Sequence, residues 1–154
     1  MALKKDIQNE YNLSIKILDI SLKEIKIVDK KSLKQLNSDF NKDKAQFEFN
    51  AEIKLDLSKQ VIHVELMTKF FSDKKMGTSL GYMITCGDFE SENIKDIIKS
   101  SGGKVPDTVF SRFIGIIVAT SRGILITESK KTIMEGVYLP IINPANFIGN
   151  QIKE

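Results

Sequence analysis

Among the 154 residues there is one cysteine, Cys86, and one histidine, His63. A single thiol excludes an intramolecular disulfide and any paired-thiol zinc site, and it is consistent with a reducing compartment. His63 falls inside a strand pattern, where a structural or solvent-facing role outweighs catalysis. A Cys-His pair needs a proximity in space that sequence alone does not supply. Long hydrophobic runs are also missing. The longest uncharged apolar run, residues 113–119, falls well short of the roughly 20 residues of a membrane-spanning helix. Residues 1–10 carry Lys4, Lys5, Asp6 and Glu10 in place of the apolar stretch of a signal peptide. No membrane span is expected, and cytoplasmic residence is.

The signatures of catalysis are equally sparse. Gly102-Gly103 precedes Lys104 without the spacing of a phosphate-binding loop, and reads as a helix stop. Carboxylates are scattered among lysines as on solvated surfaces, with no separated acid and base pair. The chain is expected not to be an enzyme and to need no metal, nucleotide or covalent cofactor. A net charge of +3 with acidic residues interspersed throughout is a weak argument for a polyanion partner, because nucleic-acid binders cluster their charge.

What remains is an ordinary soluble composition, 42% hydrophobic and 28% charged, in a length that fits one domain over residues 1–154. Over residues 11–28 apolar residues alternate in three phases: Leu13, Ile15 and Ile17, then Ile20 and Leu22, then Ile25 and Ile27. A strand that changes its inward set must bulge or break, so one long irregular strand or two short ones are expected. The lysine-rich residues 29–44 form a crossing segment in which Leu33, Leu36 and Phe40 make a helical turn or cover a groove. Alternation then returns. Phe47, Phe49, Ala51, Ile53, Leu55 and Leu57 share one face of a second strand, and Ile62, Val64, Leu66 and Phe70 one face of a third. A fourth strand puts Leu80, Tyr82, Ile84 and Cys86 opposite Gly81, Met83, Thr85 and Phe89, with Cys86 as a small core residue. Phe70-Phe71 sends one ring to each face, and Met67, Met83 and Phe89 extend an outer apolar patch that marks either a contact surface or a subunit interface.

After Glu90 the period becomes helical. Ile94, Ile97 and Ile98 stripe a short helix ended by Gly102-Gly103, and Pro106 with Asp107 opens a second. Over residues 109–120 that helix is apolar on nearly every side and stops at Ser121-Arg122-Gly123. A helix without a polar face is covered twice, by its own sheet and by another subunit. Residues 124–142 then form a hairpin turning at Glu128-Ser129-Lys130-Lys131, and Asn143-Pro144 starts a terminal helix bearing Phe147, Ile148 and Ile152. The fold class is α+β, a four-stranded antiparallel sheet followed by helices.

That order of parts, together with Asp19-Ile20-Ser21-Leu22, Val64-Glu65-Leu66, Ser121-Arg122-Gly123 and Pro144-Ala145-Asn146-Phe147, resembles SecB, the bacterial export chaperone. The resemblance implies an ATP-independent holdase that binds unfolded or preprotein chains in apolar grooves. It implies a homo-oligomer, dimer or tetramer, with the long helix in the interface through Val109, Phe113, Ile116 and Ile117. Client contacts follow by position at Phe40, Phe147 and Ile148, joined by the outward ring of Phe70 or Phe71. Asp19 and Glu65 match acidic positions that dock the motor SecA, and Lys23 stands where the family has glutamate. An antitoxin is the alternative partner, since SecB-like chaperones also serve toxin-antitoxin systems. Two other readings remain: a nucleic-acid-binding module using the lysines and Phe71 of an open sheet face, and a non-catalytic adaptor subunit.

Overall fold

A computed structural model describes residues 12–35, 40–73, 77–144 and 152–153. The alternating segments form four long antiparallel strands: β1 (Lys16–Ile27), β2 (Gln46–Asp56), β3 (Val61–Phe71) and β4 (Ser79–Glu90). Among the described residues two helices follow them, α2 (Ile94–Ser100) and α3 (Asp107–Glu128), while the crossing segment contains α1 (Lys30–Gln35) and a 3₁₀ turn at Lys42–Lys44. The sheet order is β1-β4-β3-β2, extended by a two-residue strand β5 (Ile152–Lys153) that runs parallel to β2 at Ile53 and Lys54. The α+β order expected from the sequence is the order of the fold. The expected terminal helix does not reach Ile152, which lies in β5.

The three phases of β1 have a physical cause. Its pairing with β4 shifts between Ile17 and Asp19 and again between Leu22 and Glu24, so Leu18 and Lys23 are extra residues that restore the apolar set to the inner face. One long irregular strand is the result. In β4 the same device corrects the expected faces. Phe70 pairs with Gly81 and Phe71 with Ser79, which leaves Leu80 as the additional residue. Gly81 has φ +135°, and a Cβ there would collide with the Lys26 carbonyl, so the bulge requires glycine. Beyond it Met83, Thr85 and Phe89 point inward and are wholly buried together with Leu80. The expected outer patch therefore loses Met83 and Phe89. Cys86 is no core residue either, being half-buried on the outer face.

The inner face is covered by the helices in two connected regions. Ile53, Ile62, Val64, Leu66 and Phe89 meet Ile94 and Ile97 of α2 and Val109, Phe110, Phe113, Ile114 and Ile117 of α3. Phe89 and Phe113 pack with ring centroids 5.2 Å apart. Phe70, Leu80 and Met83 form the second region with Leu125, Ile133, Met134, Val137 and Leu139. Helix α2 ends as its sequence indicates: the Gly103 amide donates to the Ile98 carbonyl at 2.9 Å, with Gly102 and Gly103 both at positive φ. Asn93, preceding α2, makes no side-chain cap. Its Oδ1 instead accepts the Ser14 amide at 3.0 Å and ties the approach to β1 onto the sheet.

Helix α3 does not stop at Ser121-Arg122-Gly123. Ser121 is buried and its hydroxyl donates to the Ile117 carbonyl at 2.8 Å, so the side chain is satisfied within the helix and does not interrupt it. A glycine inside a helix costs about 1 kcal/mol. Full burial of Leu125, one turn on, contributes about 1.5–3 kcal/mol and outweighs that cost. The continuation to Glu128 replaces the first arm of the expected hairpin. At 22 residues α3 is by length and composition able to cross a bilayer, but its side chains from Val109 to Leu125 are committed along one stripe to the sheet.

Candidate functional site

Residues 129–144 form neither strand nor regular helix. Successive turns, Thr132 amide to Ser129 carbonyl at 3.0 Å and Val137 amide to Met134 carbonyl at 2.9 Å, fold Ile133, Met134, Val137 and Leu139 onto the second core region. Burial of Val137 and Leu139 throws the intervening Tyr138 outward, 67% exposed, and Ile141 follows at 92%. This segment is fastened to α3. The Arg122 guanidinium donates to the Pro140 carbonyl at 3.0 Å, and a Cβ on Gly115 would touch Pro144 at 3.5 Å. The Ser-Arg-Gly motif thus anchors the segment after the helix instead of ending the helix.

Between this segment and β2 lies an open groove of about 500 Å³. One wall is the inner face of β2 at Phe47 and Phe49, the other is Val137, Tyr138, Pro140 and Ile142, and Lys42, Asp43 and Gln46 make the rim. The aromatic wall is rigid. Phe47 and Phe49 have ring centroids 6.4 Å apart, and Phe47 meets the buried Phe70 edge-on at 6.0 Å. The groove runs along β2, which among the described residues pairs with β5 at Ile53 and Lys54. Apolar walls and a charged rim suit an extended chain whose side chains enter the groove.

The residues singled out from sequence are dispersed around this groove. Phe40 is half-buried against the second core region. Phe70 is wholly buried and unavailable to any ligand, so only Phe71 looks outward, and it does so on the sheet face opposite the groove. Phe147 and Ile148 lie outside the described residues. Val109, Phe113 and Ile117 are buried in the chain's own core, and of the four expected interface residues only Ile116 retains surface. Phe47, Phe49, Tyr138 and Ile141 were not picked out from sequence. The two phenylalanines read as core positions in an alternating strand, and nothing in the periodicity of residues 129–142 distinguishes its exposed apolar residues.

The outer sheet face carries Asp19, Lys23 and Glu65. Asp19 is exposed beside its cross-strand neighbour Asp88, whereas Lys23, on its bulge, places Nζ 2.9 Å from Glu65 Oε2. Their hydrogen bond holds the Glu65 carboxyl below its ordinary range and the Lys23 ammonium above its own. Other charges on this face are paired in the same manner, Lys16 with Glu90, Lys26 with Glu24 and Lys69 with Glu48. His63 Nδ1 lies 2.6 Å from Asp88 Oδ1.

No protein-family model and no curated protein matches the chain. Solved structures do. One is a SecB-like chaperone of Mycobacterium tuberculosis in complex with a peptide from an antitoxin, at TM-score 0.44 and 11% identity, covering 83% of this chain and 90% of that one. Another is a protein of unknown function from Streptococcus agalactiae, at TM-score 0.42 and 7% identity, covering 84% of this chain and 98% of that one.

Proposed function

We propose that the chain is an ATP-independent, non-catalytic holdase that binds extended segments of unfolded polypeptide in the groove between β2 and residues 136–142. The observation that carries this reading is the apolar groove along β2, with Tyr138 exposed opposite its aromatic wall and Ile141 exposed between the lining residues Pro140 and Ile142. Exposed apolar side chains grouped at a concave site mark a contact surface, and a groove of this kind accepts many sequences because backbone and scattered side chains supply the contacts. The resemblance of its motifs to SecB supports the same reading. It adds Phe147 and Ile148 as client contacts, cytoplasmic residence, and SecA or an antitoxin as the partner.

The proposal includes a homo-oligomer, dimer or tetramer. Its contact is the outer stripe of α3, where Ile116, Ala119, Gly123 and Ile126 follow one another at helical spacing and Ile126 is 47% exposed. The ion pairs across the outer sheet face count against a nucleic-acid module, since lysines already opposed by carboxylates release few counterions. Light scattering of a chemically unfolded client, diluted into buffer without ATP, tests the function: the protein suppresses aggregation at stoichiometric amounts. Undiminished aggregation, with salt-dependent retardation of an oligonucleotide, would replace the holdase with the nucleic-acid module.

A further inference from the structure

The outer sheet face holds a cluster that the groove does not use. His63 and Glu65 are two residues apart on β3, on the same face. Their cross-strand neighbours on β4 are Asp88 and Cys86. A ring nitrogen of His63, a carboxylate oxygen of Glu65 and Cys86 Sγ all lie within 4.8 Å of one another. Cys86 Sγ is 3.6 Å from Glu65 Oε2, and all three side chains are half-buried, reachable from solvent.

We propose that His63, Glu65 and Cys86 form a binding site for a divalent transition-metal ion of the zinc class. Nitrogen, carboxylate oxygen and sulfur together suit Zn²⁺ or Co²⁺ and not Mg²⁺ or Ca²⁺, which prefer all-oxygen sets. Ligand atoms around a tetrahedral zinc stand about 3.5 Å apart, given bonds of about 2.0–2.3 Å. Side-chain rotation closes the present spacing, and the two paired strands need not move. With the ion on His63 Nε2, Asp88, 2.6 Å from Nδ1, would supply the carboxylate that metal-bound histidines characteristically hold on their second nitrogen. Three protein ligands leave a fourth position to water, as in open zinc sites.

Lys23 fits the same picture. Its ammonium lies 2.9 Å from Glu65 Oε2 and so puts a tethered cation beside the oxygen that an ion would take. On binding, Cys86 Sγ gives its proton to solvent and forms the sulfur–metal bond, Glu65 exchanges Lys23 for the ion, and Lys23 turns outward from its bulge. Lys23 is therefore a built-in competitor.

Titration of the full chain with Co²⁺, followed by absorption, tests the site cleanly because Cys86 is the only thiol. A thiolate-to-cobalt charge-transfer band is expected to saturate at one ion per chain with release of one proton, and Zn²⁺ should bleach it. Cys86→Ser should abolish the band. His63→Gln and Glu65→Gln should each weaken binding tenfold or more, Asp88→Asn by about tenfold, and Lys23→Met should tighten it severalfold. Circular dichroism of each variant confirms that these surface substitutions leave the fold intact. No charge-transfer band, a band saturating at half an ion per chain, or a band indifferent to His63→Gln and Glu65→Gln would each overturn the site.

Discussion

Lys23 Nζ and Glu65 Oε2 are 2.9 Å apart, joining a bulge of the edge strand β1 to the central strand β3 across β4. The pair sets a tethered cation against the Glu65 carboxylate. In the metal-free protein, Glu65 is expected to titrate below the ordinary carboxylate range, chiefly through the Lys23 hydrogen bond. A depressed carboxyl contributes stability above its unfolded value and loses it as pH falls through its folded value. Lys23, held above its ordinary range, keeps its share until pH rises through its own folded value. Carbon-detected NMR titration of the Glu65 carboxyl should show the midpoint rising in Lys23→Met. An unchanged midpoint would mean that the pair does not persist in solution.

Cys86 behaves in the opposite sense. Burial first, and then the Glu65 carboxylate, push its thiol from 9.0 up to about 11. The thiolate is then scarcer at neutral pH than for an ordinary cysteine, so alkylation of the metal-free protein is expected to be slower than that of a free thiol. Glu65→Gln should speed it. Because the folded state favours the neutral thiol, this contribution to stability is complete below the unfolded thiol value and is lost as pH rises through about 11. Alkylation rates measured against pH check both statements.

The length of α3 has a direct mutational test. Leu125 is wholly buried beyond the Ser-Arg-Gly motif, so Leu125→Ala should cost about 2–5 kcal/mol in denaturant unfolding. A helix ending at residue 123 would leave that substitution within about 0.5 kcal/mol of neutral.

Assembly and core are separable along the same helix. Ile126→Lys adds charge to the exposed stripe and is expected to dissociate the proposed oligomer in sedimentation while the chain remains folded. Ile117 is wholly buried against the sheet, so Ile117→Lys should unfold the chain outright, since an unpaired buried charge is costly. A wild-type monomer at micromolar concentration would contradict the proposed assembly.

The sheet was legible in the sequence because Phe47 to Leu57 and Ile62 to Leu66 alternate without interruption, and alternation is dictated by a half-buried strand. The phase changes of β1 were legible as well, and Leu18 and Lys23 locate them. The faces of β4 were not, because a single extra residue at Leu80 inverts everything after it and only the strained φ of Gly81 betrays it. The end of α3 was misread because Gly123 and Ser121 weaken a helix locally, while Leu125 restores it through contacts distant in sequence. The groove was hidden for the same reason. Phe47 and Phe49 look like core until residues 136–142 are seen to face them across a groove. His63, Glu65 and Cys86 were each visible, but only the register of β3 on β4 brings them together.

Tyr138 and Ile141 carry so little buried surface that replacing them leaves stability within about 0.5 kcal/mol. Tyr138→Ala combined with Ile141→Ser should nonetheless weaken client holding by about tenfold, the loss of an interface anchor worth about 1.4 kcal/mol or more. Arg122→Met should give a smaller loss of holding, by releasing the Pro140 carbonyl and loosening the wall. Peptide-binding isotherms with a fluorescent unfolded client check both variants.

The most direct measurement places a photo-crosslinking amino acid at Tyr138 in the groove and, in a second sample, at Lys54 on the outer sheet face, and exposes each to an unfolded client without ATP. Efficient crosslinking from position 138, competed by excess unlabelled client, with little from position 54, is the predicted result. Crosslinking from position 54 and none from position 138 would contradict the groove as the place where an unfolded chain is held.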